Sequence, residues 1–81
     1  EHLINAEIFS FEHILIRYGQ AVRKVRLEQG ISQEELADRC GLHRTYISDV
    51  ELGKRNISLE NIERIAISLN RTLSDFFKEV E

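Results

Sequence analysis

The 81-residue chain has no proline and no tryptophan, and one cysteine, Cys40. Without proline, the strongest helix breaker is missing from the whole sequence. A lone cysteine excludes an intramolecular disulfide and is compatible with a reducing cytoplasm. No apolar run approaches the roughly 18 residues of a membrane span, and no signal-peptide pattern is visible. A cytoplasmic chain with no membrane partner is therefore expected. The sequence also lacks repeats, low-complexity tracts and linkers. It has no paired catalytic carboxylates, no nucleophile–base constellation and no phosphate loop, so an enzyme is not expected. His2, His13 and His43 do not have metal-ligand spacing, and no metal or cofactor is expected. Cys40 and His43 read as a small buried thiol and a helix-start imidazole rather than a reactive pair.

Hydrophobic residues make up 42% and charged residues 31% of the chain, ordinary values for one globular domain. So short a chain buries a modest core, which oligomerisation would supplement. The net charge of −3 counts against a nucleic-acid binder, whose usual footprint is basic. Its distribution softens that objection. Residues 17–55 carry eight Lys/Arg against six Asp/Glu, and the remainder three against eight. A mildly electropositive middle on an acidic body can still bind DNA, especially when a dimer doubles the face.

Five helices are predicted, giving an all-α fold. The first spans Phe11 to Gln29, with Phe11, Ile14, Leu15, Tyr18, Val22 and Val25 at three- and four-residue steps. Gly19 inside it marks either a bend or a close helix contact. The second spans Gln33 to Arg39 behind Ser32, which forms a capping box with Glu35; Leu36, Ala37 and Cys40 face inward, and Gly41 supplies the turn. The third spans Arg44 to Leu52 behind His43, a mediocre cap, with Tyr46, Ile47, Val50 and Glu51 toward the body. The fourth spans Leu59 to Leu69 behind Ser58, with Leu59, Ile62, Ile65, Ala66 and Leu69 as its stripe and Asn70 ending it. The fifth spans Leu73 to Glu79 behind Thr72 and is apolar for a terminal helix. Residues 1–10 form an N-terminal extension to a single domain over 11–81. Leu3, Ile4, Ile8 and Phe9 are too apolar for a solvated tail; they extend the first helix, form another, or pack on a partner.

Helices two and three, joined by a tight glycine turn, make a helix-turn-helix. Such a unit reads the major groove with side chains at the start of its second helix. Arg44 is the strongest candidate for base readout, through a bidentate contact to guanine. Thr45 offers a methyl to thymine or a hydroxyl to phosphate, and Ser48 and Asp49 follow one turn on. Asp49 can accept from cytosine or exclude wrong bases. Phosphate contacts are expected from Gln33, at a helix N-terminus that favours anions. Further phosphate candidates are Arg23, His43, the Tyr46 hydroxyl, Lys54, Arg55 and Asn56.

These residues carry a resemblance. Arg26, the stretch Gly30-Ile31-Ser32-Gln33-Glu34-Glu35-Leu36-Ala37, Gly41-Leu42, and Tyr46-Ile47 through Glu51-Leu52-Gly53-Lys54 resemble the phage-repressor-like, or XRE, helix-turn-helix family over about residues 17–79. The narrower run HRTYIS-x-V-E-x-G-x-RN-x-S is similar to the controller proteins of bacterial restriction–modification systems, small homodimers that regulate their own operon. The resemblance implies a compact five-helix DNA-binding domain and a palindromic double-stranded operator. It implies base-reading roles for Arg44, Thr45 and Asp49, a phosphate role for Gln33, and an ion pair between Arg26 and Glu51. It places a dimer contact on Ile67, Leu69, Leu73, Phe76 and Phe77. His43 departs from the family's usual small capping residue, and residues 1–10 exceed its common pattern.

Two features remain open at this level. Glu34, Glu35 and Asp38 are either helix-capping, solvated acids or, as the resemblance to phage activators implies, a contact for RNA polymerase. The whole chain reads as a sequence-specific transcription regulator. The alternatives are an antitoxin-type module that masks a toxin and a phage-type repressor.

Overall fold

The computed structural model describes residues 11–80, with side chains from Ile14 onward. The expectations for residues 1–10, for the side chains of Phe11 and His13, and for Glu81 lie outside the described residues. The observed order is α1 (Phe11–Glu28), α2 (Gln33–Cys40), α3 (Arg44–Glu51), α4 (Leu59–Ser68) and α5 (Leu73–Val80). Each helix therefore ends within a residue of where periodicity and caps place it.

The caps explain that agreement. Ser32 Oγ accepts from the Glu35 amide at 3.0 Å, Ser58 Oγ from Asn61 at 3.1 Å and Thr72 Oγ1 from Asp75 at 3.0 Å. Each bond satisfies a first-turn donor that has no intrahelical partner. Glu35 does not reach back to complete the expected capping box. Its carboxylate pairs with Arg39 one turn on, at 2.8 Å. Gly41 follows α2 at φ +69°, which a side chain would disfavour, and the Leu42 amide donates back to Ala37 at 2.9 Å. Asn70 ends α4 at φ 60°.

All five helices contribute to one core. Val22 and Val25 of α1, Leu36 of α2, Ile47 of α3, Ile65 and Leu69 of α4, and Phe76 of α5 are fully buried. Burying each such side chain contributes about 1.5–3 kcal/mol. Tyr18 meets Phe76 edge-to-face, with ring centroids 5.5 Å apart, a geometry the ring quadrupoles favour. Two stripe residues depart from expectation. Leu59 is 73% exposed and Ile14 36%. Leu59 opens α4, and despite its correct helical phase its side chain stays largely in solvent, beside Leu73 at the edge of the core.

Gly19 resolves as a close contact rather than a bend, since α1 runs unbroken through it. A Cβ there would overlap the Val50 carbonyl oxygen and stand 2.8 Å from that of Glu51. The C-terminus of α3 thus rests directly on the backbone of α1, which fixes where α3 points.

Candidate nucleic-acid interface

α3 presents two faces. Ile47, Val50 and Glu51 are buried, while Arg44 and Thr45 are exposed and Ser48 and Asp49 half-buried on the outward side. The predicted reading face is therefore the accessible one. His43 takes the extended cap conformation but makes no side-chain capping bond, leaving the amides at the start of α3 without a protein side chain across them.

Glu51 is the hub behind this face. Arg26 donates to it twice, from Nε at 2.6 Å and Nη2 at 3.0 Å, and from Nη1 to the Ile31 carbonyl at 3.0 Å. Arg26 and Glu51 are 5% and 7% exposed, so this is a buried, bidentate, charge-assisted pair. Gln33 Nε2 adds a third donor to Glu51, at 3.0 Å. Arg23 lies 4.0 Å from the same carboxylate with most of its side chain in solvent. The start of α2, the end of α3 and the last turn of α1 are thus fastened to one carboxylate. Gln33 was expected to be committed to phosphate; in the free chain it is held by Glu51, with its second amide hydrogen still available.

The loop after α3 supplies the other edge. The Lys54 amide donates to the Asp49 carbonyl at 2.9 Å, and Lys54, Arg55 and Asn56 are exposed. The Arg55 guanidinium stacks 4.6 Å above the Tyr46 ring centroid. The Tyr46 hydroxyl accepts from Asn61 Nδ2 at 3.0 Å, leaving its own proton free to donate. Asn61 is absent from the sequence-based set. Nothing in its spacing distinguishes it from any polar residue in the first turn of α4.

Among the described residues, Arg44, Lys54 and Arg55 beside α3 pair with no carboxylate, as does Arg64 on α4, whereas Arg23, Lys24, Arg26, Arg39, Arg71 and Lys78 each pair with one. Arg44, Lys54 and Arg55 thus carry no neutralising carboxylate, which leaves their charge available to a polyanion.

The remaining expected sites separate. Leu69 and Phe76 are 0% exposed in the protomer core, which corrects their placement at a dimer contact: each points into its own domain and offers nothing to a partner. Ile67 is 64% exposed, Phe77 37% and Leu73 half-buried. On α2, Glu34 and Asp38 are exposed, while Glu35 is tied to Arg39. The Cys40 thiol donates to Ser68 Oγ at 3.4 Å. Burial pushes that thiol above its usual range, with the Ser68 bond and the Arg64 charge working against the shift. It behaves as a core residue.

Comparison with known proteins agrees with this geometry. A helix-turn-helix family model matches residues 22–76. The chain is 52% identical over 68 residues to control protein C.BamHI of Bacillus amyloliquefaciens, covering 79% of this chain and 84% of that one. Among solved structures, the restriction–modification controller protein C.AhdI from Aeromonas hydrophila is 43% identical with a TM-score of 0.75, covering 78% of this chain and 96% of that one. The controller protein C.Esp1396I, solved as a tetramer in complex with its natural 35 base-pair operator, is 36% identical with a TM-score of 0.78, covering 83% and 88%.

Proposed function

We propose, for a chain that belongs to the helix-turn-helix family and within it to the restriction–modification controller proteins, that α2 and α3 read the major groove of the operator of its own operon. The chain is a non-enzymatic, DNA-binding controller. The observation that carries the residue-level reading is the face of α3: Arg44 and Thr45 lie exposed at its start, with unpaired Lys54 and Arg55 beyond its end. Arg44 reads guanine, Thr45, Ser48 and Asp49 read or exclude neighbouring bases, and Gln33, Arg23, His43, Tyr46 and the 54–56 loop hold phosphates.

Two protomers act together in this proposal, through Ile67, Leu73 and Phe77. They set two α3 helices about one DNA turn apart, roughly 34–36 Å, on a palindromic site. Pairing compensates for the acidic body by doubling the cationic face and makes occupancy steep in protein concentration, which suits a timing switch. The protein acts in the cytoplasm, and Glu34 and Asp38 supply the acidic surface for RNA polymerase.

A gel-shift titration on the upstream region of the gene, and on palindromes recovered by selection, tests this. A concentration-dependent shift with two-fold-symmetric protection is expected. Failure to shift any selected duplex at low salt would overturn it.

A further inference from the structure

We propose that Asn61 is a positioning residue for DNA binding, acting on Arg55 through Tyr46. The inference rests on the reading of α3 and its following loop as the DNA face. Arg55 sits on an exposed loop and has no ion pair among the described residues. Its guanidinium stacks instead on the Tyr46 ring, 4.6 Å from the centroid. A guanidinium stacked on an aromatic face keeps its N–H edges free for a bidentate acceptor. The stack is only as well placed as the ring. Tyr46 is half-buried on α3, and its hydroxyl is held by Asn61 Nδ2 at 3.0 Å.

Asn61 is suited to this because Ser58 Oγ holds its backbone amide at the start of α4, which anchors the residue whose side chain reaches Tyr46. The arrangement joins three separate pieces of chain. α4 holds the ring, the ring on α3 holds the guanidinium, and the guanidinium belongs to the loop between them. Asn61 thereby orders a cation at the DNA face through two intermediates, without having to touch DNA itself.

The test is a double-mutant cycle in Kd on one duplex selected with the wild-type chain, at fixed salt, for Asn61→Leu, Arg55→Ala and the pair. Asn61→Leu is expected to weaken binding about three- to tenfold in the wild-type background and to lose most of that effect when Arg55 is already alanine, the remainder being the contribution of the Tyr46 hydroxyl itself. An equal loss in both backgrounds, or no loss in either, would overturn the proposal. A readout without DNA accompanies it. The Arg55 Nε–H resonance of the free protein carries a ring-current shift from Tyr46, which should diminish in Asn61→Leu and in Tyr46→Phe, and not further in their combination. An unaltered shift refutes the positioning role even in a variant that folds and binds normally. If the wild type binds no duplex, the DNA reading fails, and the resonance alone decides whether Asn61 orders Arg55.

Discussion

Gly19 of α1 lies directly against the Val50 carbonyl at the end of α3, with no room for a side chain between them. The orientation of the reading helix is thereby set by a backbone contact as well as by the Arg26–Glu51 pair and the buried Ile47 and Val50 side chains. Gly19→Ala gains about 1 kcal/mol of helix propensity. It also forces apart two backbones that cannot yield as a flexible side chain would, an overpacking cost of about 1–3 kcal/mol or more. The expected outcome is a lowered Tm together with weakened DNA binding, checked by thermal unfolding and gel shift. A raised Tm with unchanged affinity would show that α3 tolerates the displacement.

Breaking the Arg26–Glu51 pair should be among the costliest single changes. Glu51→Gln leaves the Arg26 guanidinium buried without its counter-charge and with one of its two Glu51 acceptors lost, and weakens the hold on Gln33. Removing one member of a buried pair costs about 3–5 kcal/mol, a large share of the stability of so small a domain. Urea unfolding should show this, and the double variant Arg26→Met/Glu51→Leu should recover much of it. Recovery of stability without recovery of DNA affinity would separate the pair's role in folding from its role in placing α3.

Arg44 and Lys54 should differ in kind. Arg44→Ala is expected to cost about 1–3 kcal/mol at one base pair and to relax the preference there. Lys54→Ala should weaken all sequences alike and flatten the log–log salt slope by about 1. Affinities for a matched panel of duplexes at several salt concentrations check both. A uniform loss for Arg44→Ala would reassign it to phosphate.

The two neighbouring phenylalanines of α5 give a direct check on the dimer surface. Phe76 is fully buried and Phe77 more than a third exposed. Phe76→Ala should unfold the domain, at a cost of about 3–5 kcal/mol. Phe77→Asp should leave a folded monomer with poor operator binding. Sedimentation and circular dichroism distinguish these outcomes, and an intact Phe77→Asp dimer would move the interface elsewhere.

The tie between α1 and α5 should respond to pH. Lys24 donates to Glu79 at 2.9 Å, and Arg71 also pairs with Glu79. The Lys24 bond and charge hold the Glu79 carboxyl below its usual range, and the Glu79 bond and charge raise Lys24 above its own. The contribution of a depressed carboxylate is complete above its unfolded pKa and lost as pH falls through the folded one. The contribution of a raised lysine is complete below its unfolded pKa and lost as pH rises through the folded one. Lys24→Met should therefore lower Tm slightly across the neutral range. The difference from wild type should shrink toward strongly acidic and strongly alkaline pH; a difference independent of pH would assign the effect to packing.

Local chemistry accounts for most of what was legible in advance. Ser32, Ser58 and Thr72 cap where their positions demand, and the inward phase of Ile47, Val50 and Glu51 follows from their spacing on a helix. Legibility failed where a neighbour decides. Leu59 has the right phase but sits at the edge of the core, largely exposed. Leu69 and Phe76 have the apolar character of an interface and are used inside the domain. Glu35 has two possible partners, and Arg39 takes it rather than the cap.

The sequence by itself determined five helices, their ends, the glycine turn at Gly41 and the outward face of Arg44 and Thr45. These depend on interactions within a few residues of chain, whose geometry is the same in any fold. Only the tertiary structure decided that Gly19 is a contact, that Gln33 hangs on Glu51, that Phe76 is buried while Phe77 is partly exposed, and that Tyr46 meets both Asn61 and Arg55. Each of those joins segments that meet only when the core closes, and no local pattern encodes which surfaces it will bring together.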